Sequence, residues 1–141
     1  MNNSVKIYTD GGARGNPGPA AAAFVVVADG KVIYKDSKFL GISTNNEAEY
    51  RALIIALEWL KNNKEKLKEK NVLFLLDSQL VVRQLTKLYK VKSENLKPLV
   101  KRVENLTSTL SEVELVYLSV GREENRLADK LVNLKLDENL V

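Results

Sequence analysis

The sequence contains no cysteine and no histidine, and these two absences exclude several kinds of chemistry. Without cysteine there can be no disulfide, no thiolate metal site and no cysteine nucleophile. Without histidine, neither a Ser-His-Asp triad nor a zinc site of the usual kind can be built. If the protein is an enzyme, its chemistry must come from Asp, Glu, Lys, Tyr or a bound metal. Carboxylate oxygens favour hard ions such as Mg²⁺ or Mn²⁺.

Long apolar runs are also missing, since none approaches the ~20 residues that span a bilayer. No apolar leader follows Met1, so we expect a cytoplasmic protein that does not contact a membrane. The chain has 141 residues, of which 45% are hydrophobic and 28% charged, as in ordinary globular proteins. We therefore expect a single domain over residues 1–141, and a monomer.

The formal net charge is +4, and the positive charge is unevenly distributed. Residues 83–102, called here the basic segment, contain seven basic side chains and one acid, Glu94, with Tyr89 among them. Such a segment can neutralise phosphates, and its binding would then weaken with salt. It can equally be the solvated face of a helix, and the residues alone leave the two alternatives open.

Hydrophobic periodicity predicts a β-β-β-α-β-α-α-β-α order of elements. Alternation predicts a first strand around Val5–Thr9, a continuous apolar run predicts a second, and Asp29-Gly30 is a turn signal before a third. Helix caps at Thr44 to Asn46 precede a helix, and the apolar run 71–76 predicts a buried parallel strand. The remaining predictions are helices over 78–88, 93–110 and 123–136 and a strand over 112–118. The expected fold is α/β, with a mixed five-stranded sheet flanked by helices. Its first three strands pair antiparallel and its later strands pair parallel.

Asp10 and Asp77 each follow a predicted strand directly. Sites in open α/β sheets lie at the carboxyl ends of strands, so parallel neighbours would bring these two carboxylates together. Two such carboxylates repel each other, and a bound divalent cation would remove the repulsion. Each acid also has a structural alternative, because Asp10 could begin a turn and Asp77 could cap the helix that starts at Ser78.

Glu49 lies in the first turn of the helix that follows Thr44. Its alternative role is a helix cap, because both Asn46-x-x-Glu49 and Thr44-x-x-Glu47 have capping-box spacing. However, Glu49 shares its helix face with Leu53, Ala56 and Leu60, which directs it toward the sheet. Glu47 instead shares a face with Arg51, a plausible surface pair. We therefore select Glu49 as the candidate site residue.

Asp129 lies in the last helix and is flanked by Leu127, Ala128, Leu131 and Leu134. It can join the other acids or face solvent and pair with a neighbouring base. The glycine-rich stretch GGARGNPGP is weak evidence alone, because it lacks the signatures of a nucleotide P-loop and of a dinucleotide site. Its glycines would let a ligand such as a sugar–phosphate backbone come close to the main chain.

Four stretches together resemble the type 1 ribonuclease H family: TDGGARGNPGPAAAAF, TNNEAEYRALIIAL, LLDSQLVVRQL and GREENRLADKL. They cover nearly the whole chain in the family's order. The resemblance implies the five-stranded fold expected above and cleavage of the RNA strand of RNA–DNA hybrids. It places the four metal-binding, catalytic acids on Asp10, Glu49, Asp77 and Asp129.

The implied mechanism is hydrolysis assisted by two Mg²⁺ or Mn²⁺ ions, leaving 5′-phosphate and 3′-hydroxyl ends. By the same resemblance, Asp10 bridges both ions and Glu49 also contacts the 2′-hydroxyl of the attacked strand. The implied contacts with the minor groove of the hybrid come from the side chains of Asn16, Asn45 and Gln79 and from backbone groups of Gly11, Gly12 and Ala13. Thr44 matches a position that holds a phosphate of the DNA strand, and Asn125 is expected near the site.

The chain departs from many family members at two places. Their histidine on the loop before the last helix is absent, and Arg122 stands on the short loop VGREEN instead. We expect Arg122 to contact the scissile or product phosphate, although it could be a surface arginine. The segment TKLYKVKSENLKP is too short for the basic protrusion of some members, so we expect weaker, strongly salt-dependent binding.

Two other functions are compatible with the same fold. One is a non-catalytic nucleic-acid binding module, which would tolerate loss of an acid. The other is a nuclease of the wider superfamily that acts on DNA junctions or on RNA–RNA duplexes. The presence of all four acids argues against the binding module, and the TNN–E and DSQ elements resemble hybrid-cutting enzymes. The short arginine loop leaves duplex RNA open as a further substrate.

Overall fold

The structure is a computed structural model and describes residues 4–67, 70–87 and 90–140. Five strands form one sheet in the order β3-β2-β1-β4-β5. Their bounds are β1 Ser4–Ala13, β2 Gly18–Ala28, β3 Lys31–Ser43, β4 Asn71–Leu76 and β5 Glu114–Ser119. The first three strands pair antiparallel, and β4 pairs parallel with both β1 and β5. This topology confirms the mixed α/β sheet that the sequence predicts.

Four helices flank the sheet: α1 Asn45–Asn62, α2 Gln79–Leu85, α3 Lys97–Ser108 and α4 Arg126–Glu138. Strand β2 shows how both faces are covered, because its side chains alternate between them. Phe24 and Val26 join a large core with α1 and α3, whereas Ala21 and Ala23 pack with Val132 of α4. The small alanines let α4 lie close to the sheet, beside the end of β1.

Helix α1 begins where the sequence predicts, because Thr44 and Glu47 form a reciprocal capping box. The Thr44 hydroxyl accepts a bond from the Glu47 N–H at 3.1 Å, and the Glu47 carboxylate accepts one from the Thr44 N–H at 2.9 Å. The predicted alternative at Asn46 does not form, since Asn46 already lies inside the helix. Glu47 therefore starts the helix, and Glu49 remains free for another role.

The other helices are shorter than, or shifted from, their predicted ranges. Helix α2 ends at Leu85, two residues before Lys87 takes a positive φ of 67° that a helix cannot continue through. Helix α3 begins only at Lys97, because Pro98 fits the first turn of a helix but not its interior. The last predicted helix opens with a 3₁₀ turn over Arg122–Asn125 before α4.

Tyr89, which the sequence places among the basic side chains, lies outside the described residues. Among the residues that are described, no helix combines the length and the apolar character needed to cross a bilayer.

Candidate active site

Parallel pairing of β1 with β4 brings Asp10 and Asp77 to the same edge of the sheet. The register places Thr9 opposite Leu76, so the two acids follow side by side. Asp10 lies within β1, paired with Ala23, and therefore does not begin a turn. Asp77 does not cap α2 either, because the Ser78 hydroxyl accepts the bond from the Val81 N–H at 3.3 Å. Neither structural alternative for these acids holds.

Glu49 reaches the same edge from α1. It is only 6% exposed, and its helix-face neighbours Leu53 and Ala56 are fully buried. The backbone N–H of Gly11 donates a 2.6 Å hydrogen bond to Glu49 Oε1. This close approach requires glycine, because a Cβ at residue 11 would overlap the carbonyl of Ala48. The first turn of α1 is thereby held against the end of β1.

Asp10, Glu49 and Asp77 form a cluster in which one carboxylate oxygen from each lies within 4.8 Å of the others. Burial, and then repulsion from Asp77, raises the pKa of Asp10 to about 7. Burial, and then the charge of Asp10, raises the pKa of Glu49 well above its ordinary value. The pKa of Asp77 is raised by burial as well. Three carboxylates at this separation repel each other, and a bound cation would remove that repulsion.

Asp129 and Arg122 complete the charged surroundings of this cluster. Asp129 is half-buried on the first turn of α4, lines the same cavity, and repels Asp10 so that the pKa of Asp10 rises further. It lies outside the three-acid group defined by the 4.8 Å separation. The positive charge of Arg122 acts on Asp77 and counteracts the rise in the pKa of Asp77. Among the described residues, the four acids share this cavity with two arginines, Arg122 and Arg14.

The cavity has a volume of about 620 Å³, and the acids lie among groups suited to polar contact. Five of the predicted substrate-contact residues line it: Gly11, Gly12, Ala13, Asn45 and Gln79. Asn45 is fixed there because its side-chain oxygen accepts a 2.8 Å bond from the Ala13 N–H. The glycine-rich stretch and the start of α1 therefore form one wall.

Asn16 and Thr44 do not line this cavity. They lie in a neighbouring cavity of about 220 Å³, together with Asn46, Ser93 and Asn95. The Asn16 side-chain oxygen accepts a 2.9 Å bond from the Asn45 N–H, which joins the two cavities structurally. The two predicted contacts thus belong to a second, adjoining surface.

Asn125 lies behind the site and does not line the large cavity. It is 1% exposed, and its side-chain amide donates a 2.8 Å bond to the Thr9 carbonyl. This contact places Asn125 beside Asp10, near the site as expected. Its direct contact with a substrate stays a prediction. The sequence shows its spacing from Asp129 but not the direction of its side chain.

Four polar side chains that line the cavity are not among the residues selected from the sequence: Arg14, Asn46, Ser78 and Asn133. Two of them carried a usable signal. Ser78 follows Asp77 at the end of β4, and Asn133 lies one helical turn beyond Asp129. Arg14 stands in the glycine-rich stretch, but its Nη2 is 2.7 Å from Asp137 Oδ1, 123 positions away, and no pattern in the sequence indicates that contact.

The basic segment is partly neutralised by acids of this chain. Lys97 pairs with Glu94 at 2.8 Å, and Arg102 pairs with Glu58 at 3.0 Å. Lys87 lies 3.6 Å from Glu104. These ion pairs reduce the positive charge that this surface offers to a nucleic acid.

The fold and the acid cluster together define an α/β protein with a carboxylate site at the ends of two parallel strands. Comparison with known proteins agrees with this class. The family model described as "Reverse transcriptase-like" matches residues 8–135. Ribonuclease HI of Halobacterium salinarum is 36% identical over 95% of this chain and 65% of its own length. The bifunctional protein Rv2228c of Mycobacterium tuberculosis is 40% identical over 94% of this chain.

Comparison with solved structures identifies the family more closely. LC11-RNase H1, isolated from compost by a metagenomic approach, superposes with a TM-score of 0.91 and is 42% identical over 99% of both chains. The same protein has been solved in complex with an RNA/DNA hybrid, and that structure superposes with a TM-score of 0.90. The chain belongs to the ribonuclease H family, in its type 1 branch. It spans 35% of the length of the mycobacterial relative.

Proposed function

We propose that this protein is a metal-dependent endoribonuclease that cleaves the RNA strand of RNA–DNA hybrids. The observation that carries the proposal is the convergence of Asp10, Glu49 and Asp77, with Asp129 beside them, on one open cavity. Membership of the ribonuclease H family supports the reaction, and the hybrid complex of LC11-RNase H1 supports the substrate. A binding module would have no need to keep so many carboxylates in mutual repulsion.

The donor set fits Mg²⁺ or Mn²⁺. All four candidate ligands are carboxylates, and hard divalent ions prefer oxygen. The raised pKa of Asp10 and of Glu49 is consistent with this, because a divalent cation would compensate the negative charge that burial and repulsion penalise. Two such ions, when bound, would activate a water and stabilise the departing 3′-oxygen.

The residues of this chain bind and orient the reactants around those ions. Asp10 would contact both ions, and Glu49, Asp77 and Asp129 would supply further carboxylate ligands. The Glu49 carboxylate would also contact the 2′-hydroxyl that distinguishes RNA from DNA. Arg122 would contact the scissile or product phosphate, and its charge already acts on Asp77. Hydrolysis would leave a 5′-phosphate and a 3′-hydroxyl.

The substrate would lie across both cavities. Backbone groups of Gly11, Gly12 and Ala13 would face the minor groove with the side chains of Asn45 and Gln79. Asn16 and Thr44 would hold the second strand at the adjoining cavity, where Thr44 contacts a DNA phosphate. Because ion pairs neutralise part of the basic segment, we expect modest affinity. The phosphate contacts that the remaining basic side chains make would weaken with salt.

A cleavage assay with labelled strands tests the proposal. Hybrid, duplex RNA and duplex DNA of one sequence are incubated with Mg²⁺, Mn²⁺ or a chelator, and Asp10→Asn protein controls for contaminating nucleases. We expect the protein to cut the RNA strand of the hybrid only when Mg²⁺ or Mn²⁺ is present, leaving 5′-phosphate ends. Cleavage mainly of duplex RNA would indicate the alternative nuclease. Absence of hybrid cleavage with either metal would refute the proposal.

A further inference from the structure

Helix α4, which carries Asp129, is joined to β1 and its following loop on both sides of Asp10. One link precedes Asp10, where Asn125 donates to the carbonyl of Thr9 at 2.8 Å. The other follows it, where Arg14 binds Asp137 at 2.7 Å. Asn125 immediately precedes α4, and Asp137 lies eight residues after Asp129 near the other end of the helix.

The hydrogen bond of Asn125 to Thr9 is buried, and stability alone does not account for an asparagine at this position. Asn125 is 1% exposed, and its side-chain oxygen has no hydrogen-bond partner among the described residues. A buried amide that leaves one polar atom unpaired costs free energy that an apolar side chain would not. What the amide provides is a fixed separation between the start of α4 and the last residue before Asp10.

The Arg14–Asp137 ion pair is exposed, and further contacts of Arg14 with α4 accompany it. The Arg14 guanidinium also approaches the backbone and side-chain oxygens of Asn133, both at 3.4 Å. Asn133 in turn donates its amide to the carbonyl of Asp129 at 3.1 Å. The loop after β1 is therefore connected through Asn133 to the residue that carries the fourth carboxylate.

We propose that Asn125 and the Arg14–Asp137 pair are positioning residues that hold Asp129 opposite Asp10, and so set the affinity of the four-acid site for divalent ions. This inference rests on the proposed function, because it assumes that the acids bind metal. Partners that orient a metal ligand typically change metal affinity by about 10- to 100-fold when they are buried. An exposed ion pair contributes at most about a fivefold effect.

The exposed Arg14–Asp137 pair gives the sharper test. For Arg14→Ala, the change in Mn²⁺ affinity expected from charge alone is opposite to the change expected from loss of positioning. Arg14→Ala removes a positive charge near the site, which by charge alone would strengthen the binding of Mn²⁺. Loss of positioning should instead weaken it, by about two- to fivefold. Asp137→Asn should weaken it similarly, and the double variant should show no further loss. Glu138→Gln is the matched control, since its 2.9 Å pair with Lys135 stays within α4.

Mn²⁺ affinity is measured by titration calorimetry on each folded protein, and hybrid cleavage is followed in parallel. Asn125→Ala should bind Mn²⁺ about tenfold more weakly, and excess Mn²⁺ should restore its turnover. If Asn125→Ala does not fold, the exposed pair decides the question, because its variants alter only surface side chains.

Unchanged or stronger Mn²⁺ binding by Arg14→Ala would overturn the inference. So would a raised KM for hybrid with unchanged Mn²⁺ affinity, which would make Arg14 a direct substrate contact. A wild-type protein that binds Mn²⁺ but cuts no hybrid would refute the proposed function alone, because the positioning effect is measured on metal binding.

Discussion

The backbone N–H of Gly11 donates a 2.6 Å hydrogen bond to Oε1 of Glu49, and this contact joins β1 to α1 directly beside the acid cluster. The donor lies one residue after Asp10 in β1, so the same segment of the strand that presents Asp10 also orients Glu49. The bond also lowers the pKa of Glu49, against the larger effects of burial and of Asp10. Strand and helix can approach this closely only because residue 11 has no side chain.

Gly11→Ala should therefore damage both fold and function. The added methyl would overlap the Ala48 carbonyl, and the backbone must move to relieve the overlap. We expect a loss of about 1–3 kcal/mol in the free energy of unfolding, with weakened Mn²⁺ binding. Gly12→Ala is the control, since its Cβ would meet only the Val132 side chain, at 3.9 Å. Equal melting temperatures for the two variants would contradict this account of the contact.

Asp10→Asn should abolish activity while stabilising the metal-free protein. The amide cannot replace a bridging carboxylate, so turnover should fall by at least about a hundredfold. The same change removes a charge that is repelled by Asp77 and Asp129. We expect a melting temperature above that of wild type in chelator, and below it once Mg²⁺ is added. A lower melting temperature in chelator would show that the acids do not repel each other as described.

The metal-free protein should become less stable as the pH rises. Asp10 has a pKa near 3.8 when unfolded and about 7 when folded, so between these values the folded state binds more protons. Stability from this group is present below about pH 4 and is lost as the pH rises through 7. Glu49 acts in the same direction.

Thermal melts in chelator from pH 4 to pH 8 measure this effect, with Asp10→Asn as the reference. The variant should show a flatter pH profile, and Mg²⁺ should raise the wild-type melting temperature more at pH 8 than at pH 5. A metal-free profile that is the same for both proteins would contradict the assigned pKa of Asp10.

Arg122→Ala should lower turnover well beyond any loss of stability. The arginine is exposed at the start of a 3₁₀ turn, so its removal should hardly change the fold. Its charge lowers the pKa of Asp77, so the acid limb of the pH–rate profile should move to higher pH in the variant. Arg126→Ala, on the exposed start of α4, is the matched control. Unchanged turnover and an unmoved limb would remove Arg122 from the mechanism.

Much of the site could be predicted because it depends on strand ends and one helix face. Asp10 and Asp77 follow two runs whose apolar patterns predict strands. The structure supplies the condition that these strands be parallel neighbours, and their pairing brings the two acids together. Glu49 could be separated from Glu47 because apolar residues recur on its face. These features are local in sequence, and the tertiary structure preserves them.

The remaining features depend on side-chain directions that only tertiary packing decides. Asn125 turns toward β1 because α4 lies against the sheet, which its spacing from Asp129 does not reveal. Arg14 and Asp137 are far apart in sequence and meet only once the loop and helix are in place. The sequence likewise does not reveal that Arg102 of the basic segment pairs with Glu58 of another helix.

Anomalous diffraction from crystals soaked in Mn²⁺ tests the central claim most directly, because it locates the ions themselves. We expect Mn²⁺ bound by Asp10 together with Glu49 and Asp77 in wild-type crystals, and no such peak in Asp10→Asn crystals. A saturating soak that leaves this cavity without Mn²⁺ would contradict the account.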